Sequence, residues 1–380
     1  MNIPMLDLKR QYQYMKNDID TAIRKCLEHQ LWIMGPEVKE LEQKVREFLE
    51  VKHCIGCCSG TEAIVLALRS FAIKNGSEFF STEDEIICTP FTFTATGDSI
   101  LRSGATPVFV DIDPVSYNIN PDAILKYLKS CFANKVKGII PVHLYGTPCD
   151  MEAIVEIAKK YNLFILEDVA QAFGGKWKNK MLGSIGNAGA FSFFPSKTLG
   201  CFGDGGMVST QDNDIAEITM SLIKHGGKDK YNVEHIGYNA RLDTIQASIL
   251  LAKFNYVEKF NARRIKIAQR YNEELAEIKG IQCPPLLEGA VFHQYTIRIK
   301  DERRNELQTF LKEKSIATMV YYPFCLHQMK VFENRAKMPE PVVEAEKAAK
   351  EVLSLPIDPL MTAEEHDYII TAIIEFFRKK

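Results

Sequence analysis

Between residues 37 and 210, short apolar runs alternate with amphipathic stretches, and this rhythm restricts the chain to a layered α/β fold. The runs His53–Cys58, Glu85–Thr89, Pro107–Asp111, Val136–Pro141, Leu163–Leu166, Ala188–Phe193 and Gly206–Ser209 read as strands. Helical spacing occupies Glu37–Leu49, Gly60–Ala72, Ala95–Arg102, Asp122–Cys131 and Met151–Tyr161. Strands that are apolar throughout must be covered on both faces, so a mostly parallel sheet between helices is expected. Beyond Gly206 the pattern changes. Ile215–Lys224 reads as a helix, and Leu242–Leu275 carries one long helical pattern. A strand (Phe292–Ile299), a helix (Glu302–Glu313) and a last helix from Ala363 follow. A chain of 380 residues is long for one core. A large domain over 1–250 and a smaller α+β C-terminal domain over 251–380 are therefore expected.

Composition narrows the function. The 47 basic and 49 acidic residues nearly cancel, leaving a net charge of −2 and no reason to expect nucleic acid as a partner. No apolar stretch approaches the roughly 20 residues that cross a bilayer. The first residues turn charged before any signal-peptide core, so a cytoplasmic protein is expected. Ten cysteines fit a reducing compartment. Cys54-Ile-Gly-Cys57 has the spacing of a redox or zinc pair. It lacks a second pair and lies in an apolar strand, which favours buried free thiols and no metal.

Parallel α/β sheets bind ligands at the carboxyl ends of their strands, and three separated segments fall there. In Cys58-Ser-Gly-Thr-Glu-Ala63 a strand gives way to a helix whose first amides, at Gly60, Thr61 and Glu62, can hold a phosphate. The same letters also describe a plain helix cap. In Phe164-Ile-Leu-Glu-Asp-Val-Ala-Gln171 an aspartate, Asp168, ends an apolar strand. Such a carboxylate can keep a pyridine nitrogen protonated, while Gln171 can donate to a ring oxygen. The third segment is Phe191-Ser-Phe-Phe-Pro-Ser-Lys-Thr-Leu-Gly-Cys-Phe-Gly-Asp-Gly-Gly206. Aromatic, small and glycine residues surround Lys197, an environment that desolvates an amine. Such an amine loses its proton near neutral pH and can attack a carbonyl. Ser192 can reach the same phosphate, and Phe93 can stack on a cofactor ring. The three segments together describe a pocket for pyridoxal 5'-phosphate.

The ordered set Ser-Gly-Thr, Thr-Pro-Phe-Thr-Phe, Glu-Asp-x-Ala-Gln, Phe-Ser-Phe-Phe-Pro-Ser-Lys and Gly-Asp-Gly-Gly resembles the DegT-type nucleotide-sugar aminotransferases. The likeness runs from Leu6-Asp-Leu through Gly237-Tyr-Asn-Ala-Arg-Leu-Asp-Thr-Ile-Gln-Ala247 to Tyr321-Tyr-Pro. It implies the fold type I architecture of pyridoxal-phosphate transferases, a mostly parallel seven-stranded sheet with a smaller α+β domain. By this resemblance Lys197 carries the cofactor and Asp168 partners its ring nitrogen. Gln171 meets the ring hydroxyl, Gly60, Thr61 and Ser192 bind phosphate, and Phe93 stacks. Asn239 matches a residue that reaches the phosphate of the neighbouring subunit, which implies a homodimer with a shared site. Arg241, Tyr321, Tyr322 and His327 fall at substrate positions. Relatives commonly carry His-Tyr-Pro where this chain has Tyr321-Tyr-Pro.

The implied reaction moves the amino group of L-glutamate to a nucleotide-linked keto-sugar, most like the subgroup that aminates 3-keto UDP- or dTDP-sugars for surface glycans. Amination at C4 stays open. A sugar dehydratase on the same fold is less favoured, because such relatives replace the lysine with histidine. A cofactor-binding regulator is a further alternative. A dinucleotide oxidoreductase lacks its Gly-x-Gly-x-x-Gly turn here.

Overall fold

The computed structural model describes residues 1–130, 133–227 and 231–378. In chain order, helices α1 (Leu8–His29) and α2 (Pro36–Leu49) precede strand β1 (His53–Cys57) and α3 (Gly60–Lys74). Strands β2 (Glu85–Cys88), β3 (Thr106–Phe109), β4 (Val136–Ile139) and β5 (Phe164–Asp168) follow, separated by α4 (Thr94–Arg102), α5 (Pro121–Ser130) and α6 (Met151–Tyr161). A small hairpin, β6 (Lys176–Trp177) and β7 (Lys180–Met181), leads to β8 (Ala188–Ser192), β9 (Gly206–Thr210) and α7 (Asn213–Leu222). The remainder comprises α8 (Thr244–Phe254), α9 (Val257–Leu275), β10 (Ile281–Gln282) and β11 (Tyr295–Ile299). It closes with α10 (Arg304–Glu313), α11 (Val343–Glu351), β12 (Val352–Leu355) and α12 (Ala363–Arg378).

Seven strands form one sheet in the order β1-β9-β8-β5-β4-β2-β3. Neighbours from β8 through β3 run parallel, and β9 runs antiparallel to both β1 and β8. Consecutive residues of β5 serve opposite faces: Leu166 packs in one core with α3, Ile165 in another with α5 and α6. This two-sided burial is why the strands lack polar alternation. Helix α3 is buried at every residue from Ala63 to Ala72, so it too is apolar apart from Arg69 and Ser70, which are hydrogen-bonded. Each large aliphatic side chain sealed this way contributes about 1.5–3 kcal/mol.

A second core surrounds the antiparallel sheet β10-β11-β12 and is covered by α9, α10 and α12. Ile3 packs in this core, and its backbone pairs with Ser315 and Ala317. The first residues therefore lie beside the C-terminal half of the chain.

Among polar groups in the large sheet, Glu167 does the most to hold loops together. Its fully buried carboxylate accepts from the backbone N–H groups of Gly183 (2.9 Å), Ile185 (2.7 Å) and Gly186 (2.7 Å), and from His143 Nε2 (3.1 Å). The amide of Cys149 donates to His143 Nδ1 at 3.0 Å, so Nε2 carries the ring proton. Glu167 thereby fastens the 183–186 turn and the loop after β4 to β5, one residue before Asp168.

Three details depart from the sequence expectation. The long helix over Leu242–Leu275 is two helices, interrupted at Asn255 and Tyr256 without glycine or proline to announce it. Helices α1 and α11, with strands β10 and β12 and the β6–β7 hairpin, are additional. Strand β5 extends to Asp168, past the expected Leu166. The expected helix end at Cys131 lies outside the described residues. The nine described cysteines are all free, with Cys54 and Cys57 buried in β1 and their thiols pushed far up by loss of hydration. No helix among the described residues is long and apolar enough to cross a membrane.

Replacing Glu167 with alanine strands three buried N–H groups. We expect a loss of about 3 kcal/mol or more, read as a lower urea midpoint at unchanged slope.

Candidate active site

A cavity of about 450 Å³ opens at the carboxyl ends of the large sheet's strands, with its far wall supplied by the second core. Nine of the residues singled out in the sequence line it: Gly60, Thr61, Phe93, Asp168, Gln171, Ser192, Lys197, Tyr321 and Tyr322. They come from five separate segments, four of which the large sheet brings to one edge.

One end of the cavity is the start of α3. Ser59 caps this helix by accepting from the Glu62 amide at 3.1 Å. That takes the Glu62 amide away from the expected phosphate site and leaves those of Gly60 and Thr61. A side chain at residue 60 would place its Cβ 2.5 Å from Ser192 Cβ, so only glycine lets α3 approach β8 this closely. Two free amides, a helix N-terminus and the Ser192 hydroxyl make a compact anion cradle.

The floor carries Asp168. Its Oδ1 accepts from the Ala170 amide (3.1 Å) and its Oδ2 from Thr96 Oγ1 (2.9 Å). Burial raises its pKa, opposed by these two bonds and by the charges of Lys197 and His143. A buried carboxylate of this kind favours a cationic partner.

Lys197 sits in a closed turn. Its amide donates to the Phe194 carbonyl (2.8 Å), and the Cys201 amide donates to the Phe193 carbonyl (2.8 Å). At Gly200 a Cβ would lie 2.5 Å from the Pro195 carbonyl oxygen, which fixes glycine at that corner. Lys253 donates its ammonium to the Gly200 carbonyl and braces the turn from α8. Loss of hydration brings the Lys197 pKa down to about 8, against an upward pull from Asp168. The Lys253 pKa falls to about 8 by the same cause. Of the two amines, only Lys197 lines the cavity. Lys197 and Asp168 feel each other's charge yet form no ion pair within 4.0 Å, which leaves room for a ligand between them.

Gln171 uses both ends of its amide. Its oxygen accepts from the Tyr145 N–H (2.6 Å), and its nitrogen donates to the Tyr322 hydroxyl (3.0 Å), keeping one N–H for a ligand. Phe93 is 55% exposed on the cavity wall, whereas Phe91, two residues earlier, is buried in the core. This settles which aromatic faces the cavity.

Three expected residues are placed elsewhere. His327 pairs its Nε2 with Glu346 at 3.0 Å and stays outside the cavity. Asn239 and Arg241 bond to each other outside the cavity formed by their own chain. Their segment is held by Arg69, whose buried guanidinium donates to Tyr238 Oη (2.8 Å), the Ile236 carbonyl (3.1 Å) and Glu78 Oε1 (2.6 Å). Thr96, His293 and Gln294 are cavity residues that the sequence did not single out. Thr96 could have been found, because it stands at the start of a helix that follows a strand end. His293 and Gln294 carry no local signal.

The family model for the DegT/DnrJ/EryC1/StrS aminotransferases matches residues 13–374. The chain belongs to this family. A pleiotropic regulatory protein of Geobacillus stearothermophilus is 45% identical over 382 residues, covering 100% of this chain and 99% of that protein. UDP-2-acetamido-2-deoxy-3-oxo-D-glucuronate aminotransferase of Pseudomonas aeruginosa is 38% identical, covering 98% and 99%. UDP-N-acetyl-3-dehydro-α-D-glucosamine 3-aminotransferase of Acidithiobacillus ferrooxidans is 40% identical, covering 98% and 97%. A solved structure of NtdA from Bacillus subtilis, described as holding the cofactor PMP, superposes with a TM-score of 0.90 at 29% identity. The superposition covers 100% of this chain and 86% of that one. The family's fold is therefore the fold type I architecture expected from the sequence. The cavity fits a phosphorylated pyridine aldehyde, because its lining combines an anion cradle where a Cβ at residue 60 would collide with Ser192, a buried carboxylate and an amine of lowered pKa.

In cofactor-free protein, competitive amine labelling should give Lys197 an apparent pKa near 8, and Asp168→Asn should lower it further. The folded chain then binds fewer protons at Lys197 than the unfolded chain between about pH 8 and 10.5. Stability should therefore rise with pH across that window more in wild type than in Lys197→Met. Gly60→Ala should weaken cofactor binding about tenfold or more with unchanged circular dichroism, as measured by equilibrium dialysis.

Proposed function

We propose that this protein is a pyridoxal-phosphate-dependent aminotransferase that moves the amino group of L-glutamate to a 3-keto sugar carried on a nucleotide diphosphate. The observation that carries the proposal is the cavity-facing amine of Lys197 standing across from buried Asp168, with an anion cradle at one end. Membership in an aminotransferase family, and relatives named for 3-oxo UDP-sugars at 38% and 40% identity, support this choice of substrate. Amination at C4 is the second reading, and the products distinguish the two.

Pyridoxal phosphate, when bound, supplies a ring that accepts the electron pair left behind when a carbon loses its proton. The remaining tasks belong to the chain. Gly60, Thr61 and Ser192 hold the phosphate, and Phe93 stacks on the ring. Asp168 keeps a positive charge on the ring nitrogen, with Thr96 and Ala170 fixing its carboxylate. Gln171, steadied by Tyr145 and Tyr322, meets the ring hydroxyl. Lys197 holds the cofactor at rest. Once freed, it takes the proton from the α-carbon of glutamate and later delivers one to the sugar carbon that receives nitrogen. An amine titrating near pH 8 suits both directions.

The working unit in this reading is a homodimer. Asn239 and Arg241 stand outside their own cavity, with Arg69 presenting them, while Phe93 and Phe194 are 55% and 51% exposed at its wall. A second copy would cover these aromatics and bring Asn239 to the phosphate and Arg241 to a carboxylate. The amino-sugar product would serve surface-glycan assembly, in a cytoplasmic setting.

The test is product analysis by mass spectrometry with glutamate and a panel of 3-keto and 4-keto nucleotide sugars. Wild type should form a 3-amino sugar and one equivalent of 2-oxoglutarate, and Lys197→Ala should form neither. An active Lys197→Ala protein would end the proposal. A product without nitrogen would instead indicate a dehydratase.

A further inference from the structure

The polar groups of the cavity divide by origin. The α3 start, Ser192, Asp168, Gln171 and Lys197 all belong to the large sheet's edge, and the cofactor reading employs each of them. Across from them the second core contributes His293 and Gln294, which lead into β11, and Tyr321 lies next to Gln294. The cofactor reading leaves these three without a task.

Gln294 is 8% exposed and its amide oxygen has no hydrogen-bond partner. Its backbone N–H donates to the Tyr145 carbonyl at 3.2 Å, which pins the residue in place, and its side chain lies beside that of Tyr321 on the cavity wall. A half-turn of the amide exchanges its two ends, so it can offer either an acceptor or a donor. The ring nitrogens of His293 make no hydrogen bond among the described residues. A wall that buries such an acceptor without a partner discriminates strongly in favour of a ligand that completes it.

We propose that His293 and Gln294, beside the substrate-position residue Tyr321, recognise the uncharged hydroxyl or acetamido groups of the acceptor sugar. The inference rests on the sugar-nucleotide reading above and adds to it the residues that distinguish sugar from donor. All three groups are neutral. Burial and the nearby charges of Lys197 and Arg264 hold His293 well below its usual titration range. Burial likewise keeps the Tyr321 phenol protonated. Gln294 has no charge to lose. Neutral donors and acceptors match hydroxyl and amide groups, whereas a glutamate carboxylate is better served by a guanidinium such as Arg241.

The experiment uses cofactor-loaded dimer and two nearly isosteric variants, Gln294→Met and His293→Phe. Calorimetry compares UDP with UDP-N-acetylglucosamine, an unreactive probe that carries the hydroxyl and acetamido groups. Each variant should lose about tenfold or more of its affinity for the sugar nucleotide and keep that for UDP. The glutamate half-reaction, followed by the visible absorbance of the bound cofactor, should keep its rate. Equal affinity of wild type and Gln294→Met for the sugar nucleotide would overturn the subsite. So would an equal loss for UDP, or a slowed glutamate half-reaction with sugar affinity intact. Failure of the parent reading looks different, because wild type itself would then form no amino sugar.

Discussion

Two ionisable groups, Asp168 and Lys197, share one cavity without neutralising each other through direct contact, and much of the surrounding structure serves that arrangement. Each group loses hydration, which raises the carboxylate pKa and lowers that of the amine. Left alone, a flexible pair would collapse into an ion pair and close the cavity. The carboxylate is prevented from turning by Thr96 and Ala170, and the backbone that carries the amine is fixed by a turn tied at Phe193, Phe194 and Gly200. Behind them Glu167 secures β5 with three backbone amides and His143. The site is thus held open by hydrogen bonds that do not themselves touch a ligand.

The same logic explains why the fold was legible where it was. Buried parallel strands must be apolar on both faces, so β1 to β5 and β8 stand out as short continuous runs flanked by helices. Helix α1 was less visible. Its buried positions, Gln11, Met15, Ile19 and Cys26, are spread over a mostly polar helix and include a glutamine. Strand β12 follows α11 directly, with no turn residue between Glu351 and Val352 to mark where one ends and the other begins. The break between α8 and α9 is set by tertiary packing, because Asn255 and Tyr256 are not helix breakers.

The site divides in the same way. Asp168, Gln171 and Gly60 stand at or just past a strand end or at a helix start, and Lys197 lies in the turn between two strands, where chain order alone predicts exposure to a ligand. His293 and Gln294 reach the cavity only because the second core packs against the sheet edge, a long-range fact with no local trace. His327 is the converse case: a suitable residue in a suitable segment that lies outside this cavity and pairs with Glu346.

Lowered pKa alone does not identify the functional amine, since burial brings Lys253 to about 8 as well. Position separates them, because Lys253 is spent on the Gly200 carbonyl while Lys197 faces the cavity. Borohydride reduction of the protein loaded with pyridoxal phosphate, followed by peptide mapping, tests this most directly. The account predicts a single stable adduct on Lys197. An adduct on Lys253 or any other lysine, or none at all, would contradict it.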